Sequence, residues 1–234
     1  MSLSVAALMA AMILIVPFYI FIAEQMPGRR LHAPETALDR AVPLQPAWAL
    51  VYGALYLFLI LLPLLVVRQP RQVRQTLLAY LAVWLTAYVF FWLYPTVAPR
   101  PAGVAGPGFV VWSLRFLYGA DPPYNCFPSL HVAHSFVSAL TCQLVNRALG
   151  VAALAAAALV GVATLFTKQH YVADVVAGFL LAGAADVVFL RRCSRDAVPS
   201  ADRRAAPALA AGILGILALV AAGFWVAYRL GVAV

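Results

Sequence analysis

The residues Thr167-Lys168-Gln169-His170-Tyr171-Val172-Ala173-Asp174 put several polar and charged groups at the head of an otherwise apolar segment. If that segment is a helix, His170 and Asp174 stand four residues apart on one face, and the carboxylate can orient the imidazole. An oriented imidazole is a nucleophile or a base. Lys168 is the only lysine among 16 basic residues, so a basic group of this kind suggests a specific task. The plainer reading of Lys168 is a charge at the membrane boundary. Two further groups carry chemistry: Pro128-Ser129-Leu130-His131, with His134 three residues on, and Arg100.

These residues sit in a chain that is 65% hydrophobic and only 10% charged, with a mean hydropathy of +0.94. Soluble domains carry about 25% charged residues, so the composition points to an all-α, polytopic membrane helical bundle. Seven spans near the ~20 residues a bilayer requires can be drawn. They are Leu3 to Ala23, Ala47 to Val67, Thr76 to Tyr94, Ser129 to Ala148, Val151 to Phe166, His170 to Leu190 and Ala208 to Tyr228. The fifth is short and rich in small residues, which suits a central helix packed closely on several sides. The net charge of +8 does not imply nucleic acid, because the arginines fall in short loops between apolar runs. Cys126, Cys142 and Cys193 have no metal-ligand spacing and provide no disulfide framework.

Arginines also set orientation. Arg68, Arg71, Arg74, Arg147, Arg191, Arg192, Arg195, Arg203 and Arg204 share one side, which places the N-terminus in the cytoplasm. Arg100, His131 and the Lys168-His170 turn then meet on the opposite, extracytoplasmic face. The loop Pro95 to Pro128 lies there too, and its apolar run Phe109 to Tyr118 is too short to span, as for an interfacial or re-entrant helix. The fourth and sixth spans would both present helix N-termini to this face, which is an anion site, and Arg100 and Lys168 add charge. Such a set can hold a phosphate between two imidazoles and transfer it. His170 is the candidate nucleophile, Asp174 its orienting partner and His131 the acid and base. Ser129, Arg100 and Lys168 are candidate phosphate ligands, with His134, Gln169, Tyr171, Arg115 and Asn125 as supporting residues. Asp and Glu number only 8 in the chain, and Glu24, Glu35 and Asp39 lie in a loop remote in sequence, so no metal or other cofactor is expected. The competing arrangement is zinc held by His131, His134, His170 and Asp174.

Pro128-Ser129-Leu130-His131 resembles the Pro-Ser-Gly-His signature of the type 2 phosphatidic acid phosphatase superfamily, and His170 with Asp174 resembles its His-x-x-x-Asp element. Arg100-Pro101 is similar to the end of that family's first motif. The resemblance runs from about Tyr94 to Gly178 and, through the family's six-helix core, over spans one to six. It departs at Leu93 and at Ala163-Thr164, where the family carries basic groups, and Lys168 is a candidate replacement for one of them. Phe127 to His134 and Lys168 to Tyr171 look more like the inositol phosphorylceramide synthase branch, whose members move a phosphorylated head group between lipids.

The resemblance implies a metal-independent lipid phosphatase or phosphotransferase. It would act on a phospholipid, polyprenyl or sphingolipid-type phosphate through a phosphohistidine on His170, with water or an alcohol as acceptor. With the span and arginine reading it gives a single membrane domain over 1–234: a six-helix catalytic core at 1–190, as the resemblance implies, then a basic cytoplasmic loop at 191–206 and an extra C-terminal helix at 207–234 that packs and anchors. The arginine and alanine bias is that of a GC-rich genome, hence a bacterial plasma membrane. The alternative is a lipid-binding or transport protein that keeps the fold without the activity, motivated by the missing basic groups.

Overall fold

Within a bilayer the backbone can satisfy its own polar groups only in a helix or a closed barrel, and the long apolar runs of this chain all become helices. The computed structural model describes residues 3–233, so positions 1, 2 and 234 of the predicted domain bounds lie outside the described residues. Nine α-helices follow in order among the described residues: α1 (Leu3–Glu24), α2 (Ala37–Ala41), α3 (Trp48–Val66), α4 (Pro70–Leu93), α5 (Phe109–Ala120), α6 (Leu130–Val145), α7 (Arg147–Phe166), α8 (Val172–Val188) and α9 (Ser200–Arg229). Six of them, all but α2, α5 and α6, belong to segments long and apolar enough to cross a membrane, and the chain is an integral membrane protein.

Helix ends differ from the sequence expectation for identifiable reasons. α4 begins at Pro70 rather than Thr76, because a proline fits the first helical position and the Gln69 side chain accepts from the Gln72 amide at 2.7 Å. Asn146 ends α6 and caps α7, its Oδ1 accepting from the Leu149 amide at 3.0 Å. The predicted fourth span is therefore cut to 16 residues and the fifth lengthened to 20. α9 starts at Ser200, so the predicted loop 191–206 is largely ordered, with 3-10 turns at Leu190–Arg192 and Arg195–Ala197 ahead of the helix. Pro207 sits inside α9, in its third turn.

The central helix is α6, not the alanine-rich α7. α6 packs on α3, α4, α7 and α8, whereas α7 turns Val151, Leu159 and Val162 outward. Small residues let α7 approach α6 and α3 closely, and a Cβ on Gly150 would meet Gln143 Cα of α6 at 2.3 Å. One apolar core lies among α3, α6, α7 and α9, and a second among α1, α4, α6 and α8. Between α4 and α6 runs a polar seam, with Tyr80 and Ser138 hydroxyls 2.7 Å apart and the Gln72 amide donating to the Thr141 carbonyl at 2.8 Å. Over one end of the bundle the connecting loops interlock, His32 N donating to Pro95 O at 2.8 Å and Ala98 N to Pro123 O at 2.8 Å. α5 lies against α3 and α9, and Trp112 Nε1 donates to the Val232 carbonyl at 2.8 Å.

Candidate active site

At that looped end the starts of α6 and α8 are locked together. Ser129 caps α6, its hydroxyl accepting from Val132 N at 3.3 Å, and its own amide donates to the Asp174 carbonyl at 3.0 Å. Gly178 makes this approach possible, since a Cβ there would lie 2.5 Å from the Ser129 carbonyl oxygen. His170 is not in α8. It precedes the helix by two residues, in a turn where Gln169 N and His170 N both donate to the Thr164 carbonyl and Lys168 has a φ of 54°. The pairing predicted from helical spacing nevertheless survives, because Asp174 sits at the third position of α8 and reaches back. Its Oδ2 accepts from Tyr171 N at 2.9 Å and faces His170 Nδ1 at 3.3 Å.

On its other side His170 Nε2 meets His131 Nδ1 at 3.0 Å. A carboxylate only accepts, so Nδ1 of His170 carries a proton toward Asp174 and its Nε2 offers a lone pair. His131 must then donate through Nδ1. The line Asp174, His170, His131 thus orders one nucleophilic lone pair and one transferable proton at a single point. The expected gap for a phosphate between the rings is not there, because the two nitrogens touch; a phosphoryl group enters only if one imidazole swings from the other. His131 packs edge-on against Tyr52 and Tyr56 of α3, at ring distances of 5.3 and 4.9 Å.

Arg100 reaches this point from the loop after α4. Its side chain is 9% exposed, pairs with Asp121 at 3.5 Å, donates to Gln169 Oε1 at 3.3 Å and lies 4.6 Å over the Tyr118 ring. Its Nε is buried and makes no hydrogen bond in the protein, so one charged donor is free. Burial raises the Asp121 carboxyl above its ordinary value, opposed by Arg100, by a hydrogen bond from Tyr19 and by nearby His170.

Lys168 does not join Arg100. Its ammonium donates to the carbonyls of Val42 and Asp39 at 2.6 and 3.0 Å, because the left-handed turn aims it at the α2 loop. Amides at the start of α8 are also engaged within the protein, Tyr171 N by Asp174 Oδ2 and Val172 N by Asp39 Oδ1 at 2.7 Å, which narrows the expectation of two open helix N-termini. Burial pushes the Asp39 carboxyl up, but donors from Thr36, Val172 and its own amide outweigh it and hold the group below its ordinary value. Arg115 also lies apart, its guanidinium donating to the carbonyls of Val104 and Gly106.

The remaining candidates divide. Gln169 and Tyr171 flank His170 and are buried, and Asn125 donates from Nδ2 to the Tyr19 carbonyl at 2.8 Å. His134 sits one turn below His131 in an aromatic cage, 4.4 Å from Tyr80 and 6.3 Å from Trp84, with Nδ1 unpartnered. No zinc set of His131, His134, His170 and Asp174 forms among the described residues. The trio that does cluster is Cys126, His170 and Asp174, with ligand atoms within 4.8 Å of one another. Burial, reinforced by Asp174, pushes the Cys126 thiol well up, and a thiol that keeps its proton is a poor metal ligand.

Sequence reasoning gave no site role to Asp39 or Asp121 and overlooked Tyr52, Tyr56 and Thr96, whose hydroxyl accepts from Cys126 N and Phe127 N at 3.0 and 3.1 Å and holds the segment entering α6. Asp39 did leave a signal, the Thr36-x-x-Asp39 capping box, which marks an ordered helix start where a loop was read. No curated protein and no solved structure matches the chain. The PAP2 superfamily model matches residues 30–188, a stretch that contains Arg100, His131, His170 and Asp174, and the chain belongs to the type 2 phosphatidic acid phosphatase (PAP2) superfamily.

Proposed function

We propose that this membrane protein is a lipid phosphatase or phosphotransferase working through a phosphohistidine. The observation that carries the reading is the unbroken line from Asp174 through His170 to His131. His170 Nε2 attacks phosphorus and the bond from phosphorus to the leaving oxygen breaks. His131 gives its Nδ1 proton to that oxygen, and a lipid alcohol departs, or a lipid monophosphate where the donor is a diphosphate. His131 then removes a proton from water or a second alcohol, whose oxygen attacks the phosphohistidine, freeing His170. Arg100 and the unshared amides at the start of α6 meet the non-bridging oxygens, where charge spreads in the transition state. Asp174 holds the reacting tautomer.

The chemistry runs without a metal ion, with the catalytic core in α1, α3, α4, α6, α7 and α8. The arginine bias puts the site on the extracytoplasmic face, with the N-terminus in the cytoplasm. The substrate is a lipid phosphate or diphosphate. Phosphate release from a panel of these, compared between the unmodified protein and His170→Ala, tests the reading. Turnover that requires His170 is the expected result, and turnover undiminished in His170→Ala overturns it.

A further inference from the structure

An apolar cavity of about 410 Å³ lies between α3, α5 and α9. That volume falls within the ~300–1,000 Å³ of small-molecule sites. The cavity runs from Ala49 to Leu57 along α3, about 12 Å of helix. It is therefore most of one leaflet of a ~30 Å hydrocarbon core in depth. Leu57 and Val220 on its rim are 42% and 39% exposed, so it opens toward the bilayer. Tyr52 and Tyr56 form its wall on the side of the site, stacked on each other at 5.5 Å, and the same two rings pack against His131. The cavity and the histidine pair are separated by one layer of side chain.

We infer that this groove holds the hydrocarbon chain of the lipid alcohol that leaves in the first step. The inference rests on the reaction proposed above, which also selects the occupant. In an in-line displacement the leaving oxygen lies opposite the attacking His170 Nε2 and takes its proton from His131. The carbon bonded to that oxygen must leave past His131, where Tyr52 and Tyr56 stand and the groove begins. A chain lying there directs the bridging oxygen at His131 Nδ1. Because a tail is as well solvated in the bilayer as in the groove, the groove acts by alignment rather than by transfer from water. α9 gains a role from this: it lies beyond the residues 30–188 that match the family, yet Leu217, Val220 and Phe224 close the groove on one side.

Gly53 permits a clean test. It lines the groove, and a Cβ there would meet nothing within 4 Å, so the Gly53→Leu side chain starts into open space and occupies the groove. Gly183, on the bilayer face of α8 and equally unobstructed, gives the control Gly183→Leu. The assay compares kcat/KM for long-chain phosphatidic acid and for a short-chain analogue with the same headgroup. In Gly53→Leu the ratio of long to short should fall by about tenfold or more, the scale of a misaligned substrate, and Gly183→Leu should keep it. In parallel, phosphatidic acid with a diazirine in its acyl chain should label α3 and α9 peptides, less so in Gly53→Leu. An unchanged ratio with labelling elsewhere overturns the groove assignment. Activity that persists in His170→Ala overturns the reaction instead, and the photolabel then decides the groove by itself.

Discussion

Arg100→Ala is the substitution whose consequences can be worked furthest. Its guanidinium keeps a buried Nε that makes no hydrogen bond among the described residues, and losing a charged donor to the transition state costs roughly 100- to 1,000-fold in kcat. It also neutralises Asp121, 3.5 Å away and 18% exposed. The gross attraction across that distance is about 5 kcal/mol at an effective dielectric constant of ~20. Without Arg100, Asp121 loses the cation that opposes the upward push of burial, so its carboxyl rises further. Below that raised value Asp121 is neutral and the single variant should equal Arg100→Ala/Asp121→Asn. Above it the carboxylate is charged beside an anionic substrate, and the single variant should fall below the double. The assay is phosphate release in detergent micelles, with kcat/KM followed across pH for the three proteins. Arg100→Ala at the unmodified rate, or single and double variants that coincide at every pH, would refute the assignment.

Other outcomes follow from the same geometry. Asp174→Asn keeps the size of the side chain but lets the wrong His170 tautomer form, so turnover should fall by about 10³-fold or more in the phosphate-release assay while the melting temperature changes little. Lys168→Ala removes two charge-assisted bonds to the α2 loop, so stability should drop by about 1–3 kcal/mol in a thermal melt, with a loss of turnover under about tenfold. A loss of two orders of magnitude with unchanged stability would return Lys168 to the phosphate. EDTA should leave the rate unchanged, and inhibition reversed by zinc or magnesium would argue for a metal at Cys126, His170 and Asp174.

The helical class and the histidine-aspartate pairing were readable because each depends on local spacing. Apolar runs of bilayer length leave the backbone one solution, and a carboxylate four residues from a histidine can reach it even when the helix starts between them. The meeting of His131 and His170 followed from counting spans, since both head helices that run the same way. What depends on loops was not readable. Lys168 looked like a phosphate ligand by proximity in sequence, but a single left-handed residue turned its ammonium toward Asp39 and Val42, 126 to 129 residues away in the chain. Asp39 was set aside for its distance in sequence, yet it caps α8. Asp121 belongs to no motif, and only folding of the α5 loop puts it on Arg100. Helix ends moved where Pro70 and Asn146 acted as caps, roles that a hydropathy reading passes over.

The central claim is that His170 carries the phosphoryl group in transit. A radiolabelled lipid phosphate, mixed with the protein and quenched in alkali within a turnover, leaves a phosphohistidine intact for peptide mapping. The account predicts label on the peptide containing His170, absent in His170→Ala and chased off the unmodified protein when excess unlabelled substrate is added. Label on any other residue, or full turnover by His170→Ala without label, would contradict it.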